Sequence, residues 1–521
     1  MATDGAPLEK GILKNLRYDF PSGVVVFLVA LPLCLGIALA SEAPLMSGLV
    51  TGVVGGLVVT LISGSPLSVS GPAAGLASIV GAGIAQMGSF ESFLVAVVIA
   101  GVMQFLLGVF RAGFFAEFFP PSVIKGMLAA IGIILILKQI PYALGGTVDD
   151  EKMGYLGEIV FALQTLSPGV VIVTLTALVI LVLWEQPFIK NQSWSRIVPG
   201  PLVAVLSGVG LNEVFKRAVP SFEIRGDAKH LVDLPILRSV EDFQLYIPRP
   251  DFAGTPIDGE LLILAATIAA VASIETLLCV EATDKLDPFK RVSPTNRELV
   301  AQGVGNTVSG FLGGLPMTAV IVRSSANIYS GGRTSAAAWY HGALLLGLVL
   351  AVPFLLNKIP LAALAAVLLV VGYKLARISL FKQMWSAGLD QFLPFIITIV
   401  VTVATDLLVG VTTGFVFGVI TVFVTSYKTA VTVREADGEY VVELVKDVSF
   451  INKGKLKEAL ASIPNDAKVR VEGGSASFID RDIQEVIKDF AASASHRGIT
   501  VQTANMDTEP HPMALGKSSG G

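Results

Sequence analysis

Charge is scarce in this chain. Asp, Glu, Lys and Arg make up 15% of its 521 residues, whereas a soluble globular domain carries nearer a quarter. The charge that is present has no excess of one sign: 37 basic residues face 41 acidic ones, a net charge of −4. That balance excludes the basic face of a nucleic-acid binder. Only two cysteines occur, Cys34 and Cys279, each inside an apolar run. They read as packed small residues, not as a disulfide or metal pair. The four histidines are scattered, and no His/Cys/Asp/Glu group has metal-ligand spacing. No metal or cofactor is therefore expected, apart from a possible coupling ion. Gly-rich runs such as Gly52–Gly56 lie inside apolar stretches without a strand–turn–helix setting, which makes them packing motifs. No nucleophile–base pair is visible, so an enzyme is not expected. The first apolar run begins near Val24 and lacks the cleavage signature of a secretory leader.

What the chain has instead is long apolar runs. Hydrophobic residues make up 53% and the mean hydropathy is +0.72. The fold class is an α-helical polytopic membrane protein. Fourteen hydrophobic elements are read, at 22–40, 45–63, 70–86, 92–110, 122–137, 169–185, 197–213, 259–281, 296–313, 316–329, 335–356, 361–372, 391–405 and 409–427. The apolar stretch 153–166 is too short to span and reads as an interfacial or re-entrant helix. Lys10, Lys14 and Arg17 precede the first span and place the N-terminus in the cytoplasm. Arg111, Lys190, Arg196, Lys285, Lys290, Arg291, Arg297, Arg333, Lys374, Arg377 and Lys382 then fall in the loops that this orientation puts inside. The C-terminus follows on the same side, and the expected location is a bacterial inner membrane.

Two elements are broken. Ser63–Gly75 and Gly313–Asn327 each combine Gly and Pro with an apolar stretch too short to cross a bilayer core of roughly 20 helical residues. Ser70-Gly71-Pro72 and Leu315-Pro316 lie about 245 residues apart, and the spans at 22 and 259 about 240 apart. Elements 1–7 and 8–14 therefore match as a seven-plus-seven repeat. An odd number of spans per copy inverts the second, and short interrupted segments at equivalent places point to a transporter's binding site.

Half-helix N-termini that meet in the membrane expose unpaired N–H groups and positive dipole ends, an anion site built from backbone. The residues around both breaks are small: Gly71, Ala73, Ala74, Gly75, Thr318 and Ala319. Such a site suits a compact ligand, not an aromatic one. Arg323 adds a full charge whose insertion costs roughly 2.5–3.5 kcal/mol. Either it supplies a field for substrate or it makes a structural ion pair. Glu275 lies within the eighth element, where a carboxylate could hold a coupling H⁺ or Na⁺ or pair with Arg323. Asp406 reads as interfacial.

Beyond about residue 430 the pattern changes. Val431–Leu444 alternates like strands with a turn at Asp437-Gly438. Leu456–Ile463 reads as a helix, Lys468–Glu472 as a strand, Asp482–Phe490 as an amphipathic helix and Gly498–Gln502 as a strand. This is a small α/β domain. The expected organisation is a cytoplasmic segment at 1–21, a membrane domain at 22–428, an α/β domain at 429–506 and a disordered tail at 507–521.

These motifs resemble the sulfate permease family of anion transporters. Arg297-Glu-Leu-Val-Ala-Gln-Gly-Val-Gly-Asn306, Gly313-Gly-Leu-Pro316, Arg323-Ser324, Asn327 and Gly332-Arg-Thr334 look like its signature, and Ser70-Gly-Pro-Ala73 like its third-helix motif. Val448–Asn452 and Phe478-Ile-Asp480 are similar to the first strand and central motif of its STAS domain. The resemblance implies a fourteen-helix fold split into core and gate, elevator-like alternating access, commonly a homodimer, and a protein partner at the STAS domain. By position it places the anion against Pro72 and Ala73 and against Val322 and Arg323. Leu33 and Ile37 close the site and Glu275 lies beside it. Many members carry Pro-Gln and then an aromatic where this chain has Pro32-Leu33 and Ile37. The missing amide removes a polar contact, and Leu-Pro before a residue other than Gln is similar to the bicarbonate-transporting branch. Arg481 and Asp482 replace the serines of phosphorylated relatives.

The function expected is secondary active transport of a small inorganic oxyanion of the bicarbonate or sulfate class, coupled to Na⁺ or H⁺. Dicarboxylate or nucleobase transport, an uncoupled anion channel and a sensory scaffold are the alternatives.

Overall fold

A computed structural model describes residues 15–113, 120–146, 154–190, 192, 198–225, 230–236, 242, 246–405, 407–436 and 438–505. Lys10, Lys14, Arg196, Asp406, Asp437 and the 507–521 tail lie outside them. The chain divides into two compact units: Met1–Ser386 with Phe395–Phe415, and Ala387–Pro394 with Val416–Gly521.

Each of the fourteen hydrophobic stretches falls on a helix or a broken helix. In the first half these are α1 (Leu16–Ala40), α2 (Leu45–Ile62), strand β1 (Ser70–Pro72) leading into α3 (Ala74–Met87), α4 (Phe90–Val109), α5 (Pro121–Leu144), α7 (Pro168–Glu185) and α8 (Gly200–Ala218). The short helix α6 (Gly154–Gln164) stands where an interfacial segment is expected. In the second half they are α9 (Gly259–Leu286), α10 (Thr295–Phe311), strand β2 (Met317–Ala319) leading into α11 (Ile321–Tyr329), α12 (Ala336–Ala351), α13 (Leu361–Leu375), followed by a short α14 (Ile378–Ser386), α15 (Leu389–Ala404) and α16 (Leu407–Thr429). Among the described residues, seven helices are long and apolar enough to cross a membrane. Helix α1 starts at Leu16, ahead of the apolar run, because Asp19 is buried inside the fold instead of standing in solvent.

Glycine sets how closely these helices approach. Lipid is as apolar as leucine, so association rests on van der Waals packing between small residues. A Cβ on Gly342 of α12 would lie 2.8 Å from the Cα of Gly56 on α2, and one on Gly303 of α10 would lie 2.3 Å from the Phe105 nitrogen on α4. Gly55 is pressed against the Ser70 carbonyl, and α2 opens into a π-helical turn over Gly55–Val59 at that contact. The run Gly52–Gly56 is thus a packing motif in the structure.

The second unit carries a four-stranded sheet in the order β3-β4-β5-β6: Val431–Ala436, Glu439–Val448, Lys468–Ile479 and Thr500–Ala504. The β3–β4 pair is an antiparallel hairpin with Gly438 at φ +77°, and the other two pairs are parallel. Helices α17 (Lys453–Ala461) and α18 (Arg481–Ala494) supply Leu456, Leu460, Ile483 and Ile487 to a core with Val442, Leu444 and Val471. This unit fits a STAS domain. The stretch Val448–Asn452 is strand only at Val448. From Ser449 it turns into a helix start, because the Ser449 and Asn452 side chains close a reciprocal capping box. Asp480 caps α18 through the Asp482 N–H.

Leucine at Gly342 should force α2 and α12 apart, at about 1–3 kcal/mol for overpacking. Thermal unfolding of the detergent-solubilised Gly342→Leu variant should fall several degrees below wild type.

Candidate functional site

The two broken elements meet backbone to backbone. β1 and β2 pair antiparallel, with Ser70 opposite Ala319, Gly71 opposite Thr318 and Pro72 opposite Met317. The Val320 N–H extends the ladder by donating to the Val69 carbonyl at 2.9 Å. Antiparallel pairing is the sense that equivalent elements of inverted halves must have. Pro72 lacks a donor and stands at the end of its strand, where the loss is tolerated.

Side chains from the signature hold this crossing. Asn306 accepts from the Met317 N–H at 2.6 Å and donates to the Met317 carbonyl and to Gln104 Oε1. Gln302 Nε2 donates to Ser70 Oγ at 2.6 Å. Ser324 Oγ accepts from the Val69 N–H, and Asn327 Nδ2 donates to the Leu67 carbonyl. On α2, Thr51 Oγ1 accepts from the Leu315 N–H at 2.6 Å. Asp19 takes the N–H groups of Arg333 and Thr334 and the Thr334 hydroxyl. Most of the signature is therefore a clamp on buried backbone that would otherwise be unsatisfied inside a membrane.

Neither half-helix start is capped by its own side chain. Ala73 and Val320, the extended residues leading into α3 and α11, have no polar atom to offer. Helix α9 supplies polar groups to both. Glu275 faces the Gly75 amide, close enough that a Cβ on Gly75 would sit 2.5 Å from Oε2. Thr276 Oγ1 accepts from the Ala319 N–H at 3.4 Å, and the Cys279 sulfur faces the Ile321 N–H. One face of α9, at positions i, i+1 and i+4, thus touches both half-helix starts.

Arg323 is the largest fully buried side chain of the described residues. Its guanidinium crosses β1 at Gly71, where a Cβ would fall 2.0 Å from Nη1. Nη2 donates to Cys34 Sγ on α1 at 3.4 Å, while Nε and Nη1 have no partner among the described residues. The expected Arg323–Glu275 pair does not form. Among the described residues no carboxylate reaches Arg323, and Glu275 is drawn to a different positive end, the start of α3 at Gly75. Two glycines make room for them at different points: Gly71 lets the arginine pass to Cys34 of α1, and Gly75 lets the carboxylate lie against the start of α3.

The remaining sequence-predicted residues fall as follows. Pro72, Ala73, Thr318 and Ala319 are buried at the crossing, while Ala74 is half-buried. Val322 is 41% exposed, and Ala74, Glu275, Cys279 and Ile321 also keep accessible surface beside it. Ile37 packs in the cluster containing Ala73 and Leu76. Leu33, one turn earlier on α1, packs instead with Ala177, Leu181, Ala204, Ala366 and Val367 of α7, α8 and α13, with Ala326 at the edge. Sequence reasoning missed three contributors: Cys34 against Arg323, and Thr276 and Cys279 on α9. The i, i+4 spacing of Glu275 and Cys279 was the signal available for the α9 face.

The sequence matches the sulfate permease family over residues 16–400. The chain belongs to the sulfate permease family. It is 29% identical over 407 residues to the Bacillus subtilis (strain 168) protein named "Putative sulfate transporter YvdB", covering 77% of this chain and 72% of that one. It is also 29% identical over 414 residues to the "Bicarbonate transporter BicA" of Picosynechococcus sp. (strain ATCC 27264 / PCC 7002 / PR-6), covering 76% and 68%. The solved transmembrane domain of a cyanobacterial bicarbonate transporter BicA superposes with a TM-score of 0.63 at 26% identity, over 77% of this chain and 98% of that one. Murine Slc26a9, an anion transporter, gives a TM-score of 0.73 over 97% of this chain and 87% of that one. At 16% identity that likeness is one of fold. As a family member this chain is a membrane anion transporter, not an enzyme.

A methyl group at Gly71 should push the guanidinium of Arg323, a flexible side chain, off the crossing. A hydrogen bond to a charged group is worth roughly 1.5–3 kcal/mol, so Gly71→Ala should weaken anion affinity in uptake assays by about tenfold or more. Its melting temperature should stay near wild type.

Proposed function

We propose that the chain is a secondary active transporter of a small inorganic oxyanion of the bicarbonate or sulfate class. The anion lies at the β1–β2 crossing, between Pro72–Ala74 and Thr318–Arg323, with Ile37 of α1 packed beside Ala73; Leu33, which packs with α7, α8 and α13, does not close the site. The observation that carries this reading is the buried Arg323, which passes the crossing at Gly71 with no carboxylate on it among the described residues. A buried charge left unneutralised needs an anion or a wet cavity, and helix starts favour negative ligands. The relatives named for bicarbonate and for sulfate leave both anions in the class.

Coupling is assigned to Glu275, through H⁺ or Na⁺. The groups that face it offer Na⁺ little: an amide N–H at Gly75 and, one turn on, the thiol of Cys279. A hard cation is held by several oxygen ligands, and one carboxylate among N–H and S–H groups offers too few. Alternating access moves the crossing as a body, elevator-like. The protein works as a homodimer in a bacterial inner membrane with both termini cytoplasmic, and its STAS domain meets a cytoplasmic protein.

Proteoliposome uptake tests this. Labelled bicarbonate or sulfate should enter the wild type under an inward H⁺ gradient, and Glu275→Gln should abolish the response to that gradient. Uptake of neither anion under H⁺ or Na⁺ gradients contradicts the reading. Gradient dependence that survives Glu275→Gln removes the coupling role.

A further inference from the structure

His341 lies on α12, behind the site, with both ring nitrogens buried and without a partner among the described residues. A buried polar group left unsatisfied is costly, and such groups call for an explanation. Its surroundings supply one. Ala338, three residues earlier on the same helix face, packs with Val26 of α1 and with Val69 at the foot of β1. Leu345, four residues later, meets Cys34 over Gly52 of α2: Leu345 Cδ1 and Cys34 Sγ lie 2.9 and 2.7 Å from the point where a Gly52 Cβ would be. The imidazole is therefore bracketed by the approach to β1 on one side and by Cys34 on the other. Arg323 lies there, with Nη2 on Cys34 Sγ. Two unpartnered donors on Arg323 and two unpartnered nitrogens on His341 thus share one buried region.

From this we infer that His341 is a positioning residue for the anion site, holding Arg323 through a shared buried water. One water can serve one group on each residue. The water accepts from an Arg323 N–H and donates to the acceptor nitrogen of a neutral imidazole. The second consequence is electrostatic. Cys34 and His341 orient the guanidinium with neutral groups, so its charge is not cancelled as it would be by Asp or Glu. The residue keeps its field for a ligand at the crossing. This rests on the anion-transport reading above, and deepens it by naming what fixes Arg323.

The test uses the full chain in proteoliposomes with labelled sulfate and, separately, labelled bicarbonate. His341→Leu removes the acceptor and should raise KM about tenfold or more, with the maximal rate near wild type. His341→Gln keeps a donor and an acceptor and should return KM to within about threefold of wild type. A purely structural histidine would instead lower the melting temperature in both variants and leave KM alone, and that result overturns the inference. If His341→Leu does not fold, His341→Asp decides. A carboxylate there pairs with Arg323, and should raise KM at an undiminished melting temperature; an unchanged KM overturns the inference. A wild type that takes up neither anion fails the transport reading itself. That result differs from a transporting wild type matched by His341→Leu.

Discussion

The structure depends on six residues of backbone. Ser70–Pro72 and Met317–Ala319 pair antiparallel in the middle of a helical membrane unit, where open strand edges are otherwise excluded. Everything that surrounds the pair can be understood as a way to keep it there. Asn306, Ser324, Asn327 and Thr51 satisfy its peptide groups or those beside it, and Gln302 holds the Ser70 hydroxyl. Gly55 makes room for the Ser70 carbonyl. Because the strands are fixed, the helices that follow them, α3 and α11, begin at fixed points with their dipoles directed at one region.

Two charged side chains are held at that region by backbone rather than by each other. Glu275 settles on the Gly75 amide and Arg323 passes over Gly71 to Cys34. An ion pair between them would have cancelled the positive field beside the crossing. Keeping them apart leaves a positive centre and a separate carboxylate, the two groups to which the proposed function gives the substrate and the coupling ion. The separation depends on two glycines, which is why the small-residue character of the broken elements matters as much as the arginine.

Much of this was legible in the sequence. The fourteen apolar stretches, the two breaks and their spacing placed the elements, and the Gly/Pro pattern at Ser70–Gly75 and Gly313–Pro316 marked the crossing. What the sequence did not disclose was which groups face each other. The Arg323–Glu275 pairing was plausible from charge alone, but side-chain direction is set by packing of helices distant in sequence. Cys34 and His341 looked like ordinary buried residues, because nothing local indicates that an arginine nearly three hundred residues after the cysteine comes to rest beside it. Leu33 and Ile37, one turn apart on α1, pack into different clusters for the same reason. In the second unit, the alternation of Val431–Leu444 carried the hairpin. The reach of β5 to Ile479 was missed, because Gly473 and Gly474 break the β-propensity of a strand that its neighbours hold in place.

The central claim is that the anion lies at the β1–β2 crossing, within reach of the α3 and α11 starts and of Arg323. The most direct measurement is a high-resolution cryo-EM map of the full chain in nanodiscs, with and without a saturating concentration of the anion that it transports. The account predicts new density between Ala73 and Val322–Arg323 in the presence of the anion. Anion density elsewhere, with the crossing unchanged between the two maps, would contradict it.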